Sequence, residues 1–453
     1  MKKQFKYIDN LLYLAFSNQI INRLIINYSL ALSILYLIIR IIDNVFLCMH
    51  GIGDEWFFIR DLNFYLDNGY YLSVLNGFSI PTTLISSWIY YLTGDISLSL
   101  RLTNTFIVFL LIIYLFNREG LVEAEFKQFF TIIFFMLIGT MGGMFSGTND
   151  SIFNGSLVII FSELYLYFKN HRLNNIMMVI AITLCILSRP LFIIYLPITF
   201  LALFIFLLYR YGKINQSIFN SISFNFSISL ILVVLFNYPR IIEPNYSNGQ
   251  GNHLPQFLFF SYSDKSGTYK TNDPDFNWAQ WHFYSQMLSN QKGSYLFAPL
   301  VKWHEVKEYK NNNTGHILPN SYQEYLINHP ISVIKRFPFS IIEIFLMSVR
   351  YLGFLLFLIP IWLYLKIKNK EDGSSIFLSI LILLTIFALA LICPRVVENR
   401  WLASVYVMVV ILVTNKNNFI NYILEQKYLM VNVVIMDIVT IWALWKWKIF
   451  LHI

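Results

Sequence analysis

Apolar runs long enough to cross about 30 Å of hydrocarbon recur along almost the whole chain, and no soluble core accommodates so many of them. They lie at 28–47, 100–116, 129–143, 152–168, 176–188, 191–209, 218–236, 338–365, 376–393, 402–414 and 429–445, which predicts an all-α polytopic membrane protein with about eleven transmembrane helices. The runs at 176–188 and 402–414 are the shortest of the set. A still shorter one, 81–92, reads as an interfacial or re-entrant helix. Apolar residues make up 57% of the chain and charged ones 13%, a balance that excludes an ordinary soluble enzyme. Near the N-terminus, Lys2, Lys3 and Lys6 precede a broken amphipathic stretch to Asn27, with neither a compact apolar core nor a small-residue cleavage site. This predicts a cytoplasmic interfacial helix rather than a cleavable signal peptide.

The net charge of +8 comes from 33 basic against 25 acidic residues, and its distribution points to topology rather than to nucleic acid. Lys and Arg gather in alternate short loops, at Lys2/Lys3/Lys6/Arg23, Arg118/Lys127, Lys169/Arg172, Arg210/Lys213, Lys366/Lys368/Lys370 and Lys416/Lys427. By the positive-inside rule those loops face the cytoplasm. The opposite side then receives 50–99, 146–150, 189–190, 237–337 and 394–401, so the large loops share one extracytoplasmic compartment. The expected organisation is an N-terminal transmembrane module (1–236) with a first outer loop at 48–100, an extracytoplasmic lobe at 237–337, and C-terminal transmembrane helices at 338–453. The lobe is inferred from turn-forming Gly, Asn, Asp and Pro residues among aromatics such as Trp278, Trp281 and Phe283. Cys48, Cys185 and Cys393 lie in or at the ends of spans without metal-ligand spacing and are expected to be buried, inert thiols.

The polar residues predicted at the outer face form a set with recognisable chemistry. Asp54, Glu55, Arg60 and Asp61 come from the first loop, and Arg101 opens the following span. Asn149 and Asp150 precede another span, Arg189 joins two apolar stretches, and Arg395, Glu398, Asn399 and Arg400 share a late loop. Ionisable groups at membrane depth are expensive and are functional candidates by default. Arginines bind phosphate in bidentate fashion, and a carboxylate takes a proton from an attacking hydroxyl. Each residue also has a plainer reading. Asp54 can be a solvated loop carboxylate, Asp150 a helix cap, Arg101 and Arg189 snorkelling side chains, Glu398 a structural ion-pair partner, and His253 a packing residue.

In order along the chain stand a first span, Asp54-Glu55, the Pro-led helix from Pro81 to Gly94, Ser99-Leu-Arg101-Leu, and the turn Phe145-Ser-Gly-Thr-Asn149-Asp150. This series resembles the GT-C glycosyltransferases, the multi-span enzymes that use polyprenyl-phosphate sugars, and within them the protein mannosyltransferase-like and bacterial O-antigen glucosyltransferase-like members. It covers about the first 170 residues; beyond that the likeness is architectural. Two details depart from it: Ile80-Pro81 stands where Pro-Pro is usual, and Trp-Phe-Phe follows the acidic pair. The resemblance implies a GT-C-like bundle and inverting transfer of a sugar to an extracytoplasmic acceptor, foremost a bacterial surface polysaccharide such as O-antigen or lipopolysaccharide. It places the protein in a bacterial inner membrane, in contact with membrane lipids. Asp54 and Glu55 would be catalytic, and Arg101, Arg189, Arg395 and Arg400 would bind the donor phosphate. Asn149, Asp150, Glu398 and Asn399 would support them, with His253 and Gln256 on the acceptor side. No cofactor is required by the resemblance, which leaves room for a divalent cation (Mg or Mn) bridging phosphate and Asp54 or Asp150. Glycan, lipid and protein acceptors stay open, as do an O-antigen polymerase or ligase and a lipid-linked saccharide transporter (flippase). A transporter would place ionisable groups at mid-bilayer and repeat its halves.

Overall fold

A computed structural model of the chain describes residues 18–48, 54–189, 191–212, 216–243, 284–285, 287–288, 291–292, 302–313, 327–369, 373–392, 399–415 and 422–450. Among these residues the regular structure is helical, with no strand. In chain order the helices are α1 (Gln19–Ile42), α2 (Glu55–Leu75), α3 (Ile80–Thr93), α4 (Ile96–Asn117), α5 (Lys127–Thr140), α6 (Asp150–Asn170), α7 (Asn175–Ser188), α8 (Phe192–Tyr211), α9 (Gln216–Phe236), α10 (Tyr238–Ile242), α11 (Trp303–Asn312), α12 (Pro330–Leu352), α13 (Leu355–Asn369), α14 (Gly373–Ile392), α15 (Ala403–Val413) and α16 (Tyr422–Phe450).

Seven helices among the described residues are long and apolar enough to cross a membrane, or eight if the bent pair α12–α13 is one span. The expectation of about eleven is therefore corrected, for two reasons. Helices α5 and α7 have 14 residues each and α15 has 11. At 1.5 Å per residue even the longer two reach only about 21 Å. The run at 338–365 is not one rod either, because α12 and α13 meet at 114°. The bend sits at Gly353, whose φ of 61° lies in the left-handed region. There Asn432 Oδ1 accepts the N–H of Phe354 at 2.9 Å, in space that a Cβ on residue 353 would occupy.

Helix α6 is the axis of the molecule. Of its most apolar stretch 89% is buried, against 22% for α1 and for α9, whose Leu24, Ile38, Ile231 and Leu235 face outward. An outward apolar face and an inward core are what a multi-pass membrane protein requires. Helix α6 packs on α14 and α15, and these helices bury Ser162, Ser375, Ser379 and Ser404, small side chains of the kind that let helix backbones approach closely in membranes.

Helix α3 reverses the usual soluble pattern. It buries Thr82, Thr83, Ser86 and Ser87 and exposes Trp88, Tyr91 and Leu92. Its hydroxyls bond to those of α4, Ser86 with Thr103 at 2.8 Å and Thr93 with Ser99 at 2.7 Å. Pro81 in its first turn and Gly94 at its end (φ 68°) bound a helix too short to span, as expected for 81–92. The expected lobe at 237–337 lies mostly outside the described residues. Of that stretch, α10 docks on α2 through Tyr71, whose hydroxyl donates to Glu243 at 2.7 Å, and Arg240, whose Nε donates to the Val74 carbonyl at 2.7 Å.

Candidate functional site

The adjacent acidic residues Asp54 and Glu55 take opposite directions at the start of α2. Glu55 is buried, and its carboxylate accepts two charge-assisted bonds from Arg101 of α4, Nε to Oε1 and Nη2 to Oε2, both at 2.7 Å. Ser97 Oγ donates to Oε1 at 3.0 Å. The third arm of Arg101, Nη1, donates to the carbonyls of Asn44 at 2.8 Å and Cys48 at 3.0 Å. The first of those carbonyls lies within the π-helical turn Asp43–Leu47 and the second follows it, a wide turn of the kind that often marks functional sites. Arg101 therefore points into the protein instead of snorkelling. Gly147 lies against this pair: a Cβ there would stand 2.6 Å from Glu55 Oε1.

Asp54 precedes the first helical residue but makes no side-chain cap bond, so its carboxylate is not spent on the helix. It faces Arg400 of the Asn399–Leu402 turn, with Nη2 to Oδ2 at 2.5 Å. The other nitrogen, Arg400 Nη1, reaches Asp150 Oδ2 at 3.3 Å. Asp150 is fully buried at the first position of α6; its Oδ2 also accepts from Thr148 Oγ1 at 3.0 Å, and its Oδ1 pairs with Arg189. A carboxylate at a helix N-terminus is favoured by the helix dipole. This one serves the two arginines instead of capping the helix with its side chain. The outcome is a chain of alternating charge, Asp54–Arg400–Asp150–Arg189, drawn from four separate segments and summing to zero.

The backbone around these groups is pinned. Asn154 Nδ2 donates to the Arg400 carbonyl at 3.0 Å while its Oδ1 accepts the Ser404 N–H at 3.3 Å. Tyr195 donates to the Trp401 carbonyl, and Tyr406 donates to Asn399 Oδ1 at 2.9 Å. Asn149 ties the start of α6 to α7 by donating to the Ser188 carbonyl, and Asn104 Nδ2 donates to the carbonyls of Ser146 and Thr148. Further along α2, Arg60 stacks over Trp56 and Phe57, with centroid distances of 5.6 and 5.8 Å. Burial pushes the Asp61 carboxyl up to about 6, against the pull of neighbouring Arg60.

Of the residues singled out from sequence, Asp54, Asn149, Asp150, Arg189, Asn399 and Arg400 come together here, and Glu55 with Arg101 forms a second, closed pair beside them. Arg395, Glu398, His253 and Gln256 lie outside the described residues, as does Cys393. Cys48 is exposed rather than buried, because the π-helical turn ends just before it, whereas Cys185 is buried as expected. Among the described residues no group of three His, Cys, Asp or Glu side chains could hold a metal ion. Asp54 and Asp150 are already compensated by guanidinium groups, so the residues as arranged do not fit a dication between them. Gly147 and Thr148 lie in the quoted turn 145–150 without a role of their own, and Asn104 and Asn154 are missed by the sequence reading. The signal of the two asparagines is a polar residue inside an apolar run, which is visible in sequence but does not name its partner.

Between α6, α7, α8 and α9 lies a small apolar cavity of about 40 Å³. Leu157, Phe161, Ile182, Leu203 and Phe226 are among its walls.

Comparison with known proteins finds no matching family model and no matching curated protein.

Proposed function

We propose that this protein is an integral membrane glycosyltransferase of GT-C type, moving a sugar from a polyprenyl-phosphate donor to an extracytoplasmic acceptor, foremost a bacterial surface polysaccharide. The observation that carries the reading is the convergence of Asp54, Arg400, Asp150 and Arg189, residues distant in sequence, beside the start of the buried membrane helix α6. A phosphate on two arginines suits a phosphate-linked donor.

In this mechanism Asp54 accepts the proton of an acceptor hydroxyl as its oxygen attacks the anomeric carbon of the sugar. The bond from that carbon to the phosphate oxygen breaks, and the polyprenyl phosphate leaves with the electron pair. Arg189 and Arg400 stabilise the charge that gathers on it, a contribution worth about a hundredfold in rate per donor. Glu55 and Arg101 have both ends occupied by one another and act as the frame that aims Asp54, a positioning role rather than direct chemistry. No nucleotide sugar or ATP enters, and no step is routed through a metal. The inner membrane of a bacterium is the proposed location, with the site on the extracytoplasmic side.

The test is the mass of surface glycan in cells carrying the wild-type protein, Asp54→Asn or no protein. A hexose-scale loss shared by the variant and the deletion, with the variant still inserted in the membrane, is the expected result. Loss confined to the deletion retires Asp54 as the base, and no loss in either overturns the surface-glycan reading.

A further inference from the structure

Arg400 holds two carboxylates that differ sharply in environment. Asp150 is fully buried and keeps Arg189 and the Thr148 hydroxyl whether or not Arg400 stays. Asp54 is 29% exposed, and among the described residues Arg400 is its ion-pair partner. Resting on the transferase reading, this arrangement contains a conflict. A carboxylate oxygen that already accepts a guanidinium N–H is a poor acceptor for a substrate proton. A guanidinium shared by two carboxylates is equally poor at receiving phosphate. The reaction needs both groups at once.

We propose that Asp54 and the phosphate oxyanion of the substrate compete for the same edge of Arg400, so that arriving phosphate releases Asp54 to act. The base is latched until the anion is in place. The pieces that must stay still are fixed: Asn154 and Tyr195 hold the carbonyls of Arg400 and Trp401, and the Glu55–Arg101 pair holds the first turn of α2. The piece that must move is an ion pair whose members are 26% and 29% exposed, the class of pair that contributes least to stability and opens most readily. Arg400 need not leave the site, since Nη1 remains on buried Asp150 while Nη2 changes partner. Phosphate offers Nη2 a charge-assisted bond in exchange. The latch also guards against idle chemistry, because Asp54 is withheld from hydroxyl groups, including water, when no phosphate is bound.

The prediction is that removing the acidic residue tightens binding of an anion. Purified full-length protein in detergent is titrated calorimetrically with inorganic phosphate and, separately, with farnesyl phosphate. Asp54→Asn should bind about fivefold tighter than wild type, the scale set by a partly exposed ion pair. Arg400→Gln should bind more weakly, and adding Asp54→Asn to Arg400→Gln should restore nothing. Tightening with both probes assigns the effect to the oxyanion alone, and tightening with farnesyl phosphate alone assigns it to a lipid-borne phosphate. Unchanged or weaker binding of both probes by Asp54→Asn overturns the latch, as does wild-type affinity in Arg400→Gln. Gel filtration and melting temperature check each variant; should Asp54→Asn not fold, Asp54→Ser removes the same charge. The two readings fail separately. Wild-type sugar transfer without tightening keeps the transferase and discards the latch, whereas tightening without any sugar transfer keeps the anion exchange and discards the transferase.

Discussion

Helix α6 carries two fully buried carboxylates, Asp150 at its N-terminal end and Glu163 thirteen residues, or about 20 Å, further along, and their surroundings differ in one decisive respect. Glu163 is closed. Its Oε1 accepts from Tyr114 Oη and Arg118 Nε and its Oε2 from Arg118 Nη2 and the Asn174 N–H, all at 2.8 Å. Every partner belongs to the segments that pack around it, so this end acts as a clamp joining α4, α6 and α7. Asp150 is open. Two arginines hold it, and one of them continues outward to Asp54, near the surface. The same residue types make a rivet where all bonds close internally and a site where one arm reaches a partner that another anion can replace.

The sharpest way to break this comparison is to remove one carboxylate from each end. Glu163→Ala leaves Arg118 without its bidentate partner and should cost about 3–5 kcal/mol, the scale for one lost member of a buried pair. Asp54→Asn should cost no more than about 1 kcal/mol, because its pair is partly exposed. Denaturation of the purified variants in detergent micelles measures both. Equal costs would mean that the open end is as structural as the closed one.

A second measurement sharpens the picture of the open end through pH. Asp61 has its folded-state value raised from the usual 3.8 to about 6 by burial, so the folded protein binds this proton more tightly than the unfolded chain does. Its contribution to stability is fully present below about pH 4 and is lost as pH rises through 6, by up to about 3 kcal/mol for a shift of two units. Asp61→Asn should flatten that part of the stability–pH curve and leave the variant the more stable protein at pH 8. A slope between pH 4 and 6 as steep in the variant as in the wild type would assign it to other groups.

A third measurement tests the frame beside the site. Gly147→Ala places a methyl group against Glu55, which cannot yield because Arg101 and Ser97 hold it. Overpacking of this kind costs about 1–3 kcal/mol, read as a lowered melting temperature. Retention of wild-type stability would show that the Glu55–Arg101 pair is softer than its bonding suggests.

Much of this molecule was legible in one dimension. Long apolar helices follow from local hydropathy, and Pro81 and Gly94 mark the limits of α3 to within a residue. Asp54, Asp150, Arg189 and Arg400 stood out as charges beside apolar runs, where ionisable groups are costly. The span count failed because a run of apolar residues does not state whether it crosses the bilayer or packs within the bundle. Helices α5, α7 and α15 are apolar yet short, and Gly353 turns the chain between α12 and α13 with help from Asn432, 79 residues away. Pairing was harder still. Arg101 was open between the lipid interface and a phosphate, and it turned out to belong to Glu55.

The sequence by itself determined that the chain is an all-α, multi-pass membrane protein with costly charges near its helix ends, because hydrophobicity and charge are properties of single residues and short windows. Only the tertiary structure decided which of those charges are consumed inside the protein and which remain available. Ion-pair geometry depends on where helices cross, and that is set by packing between segments as far apart as Asp54 and Arg400.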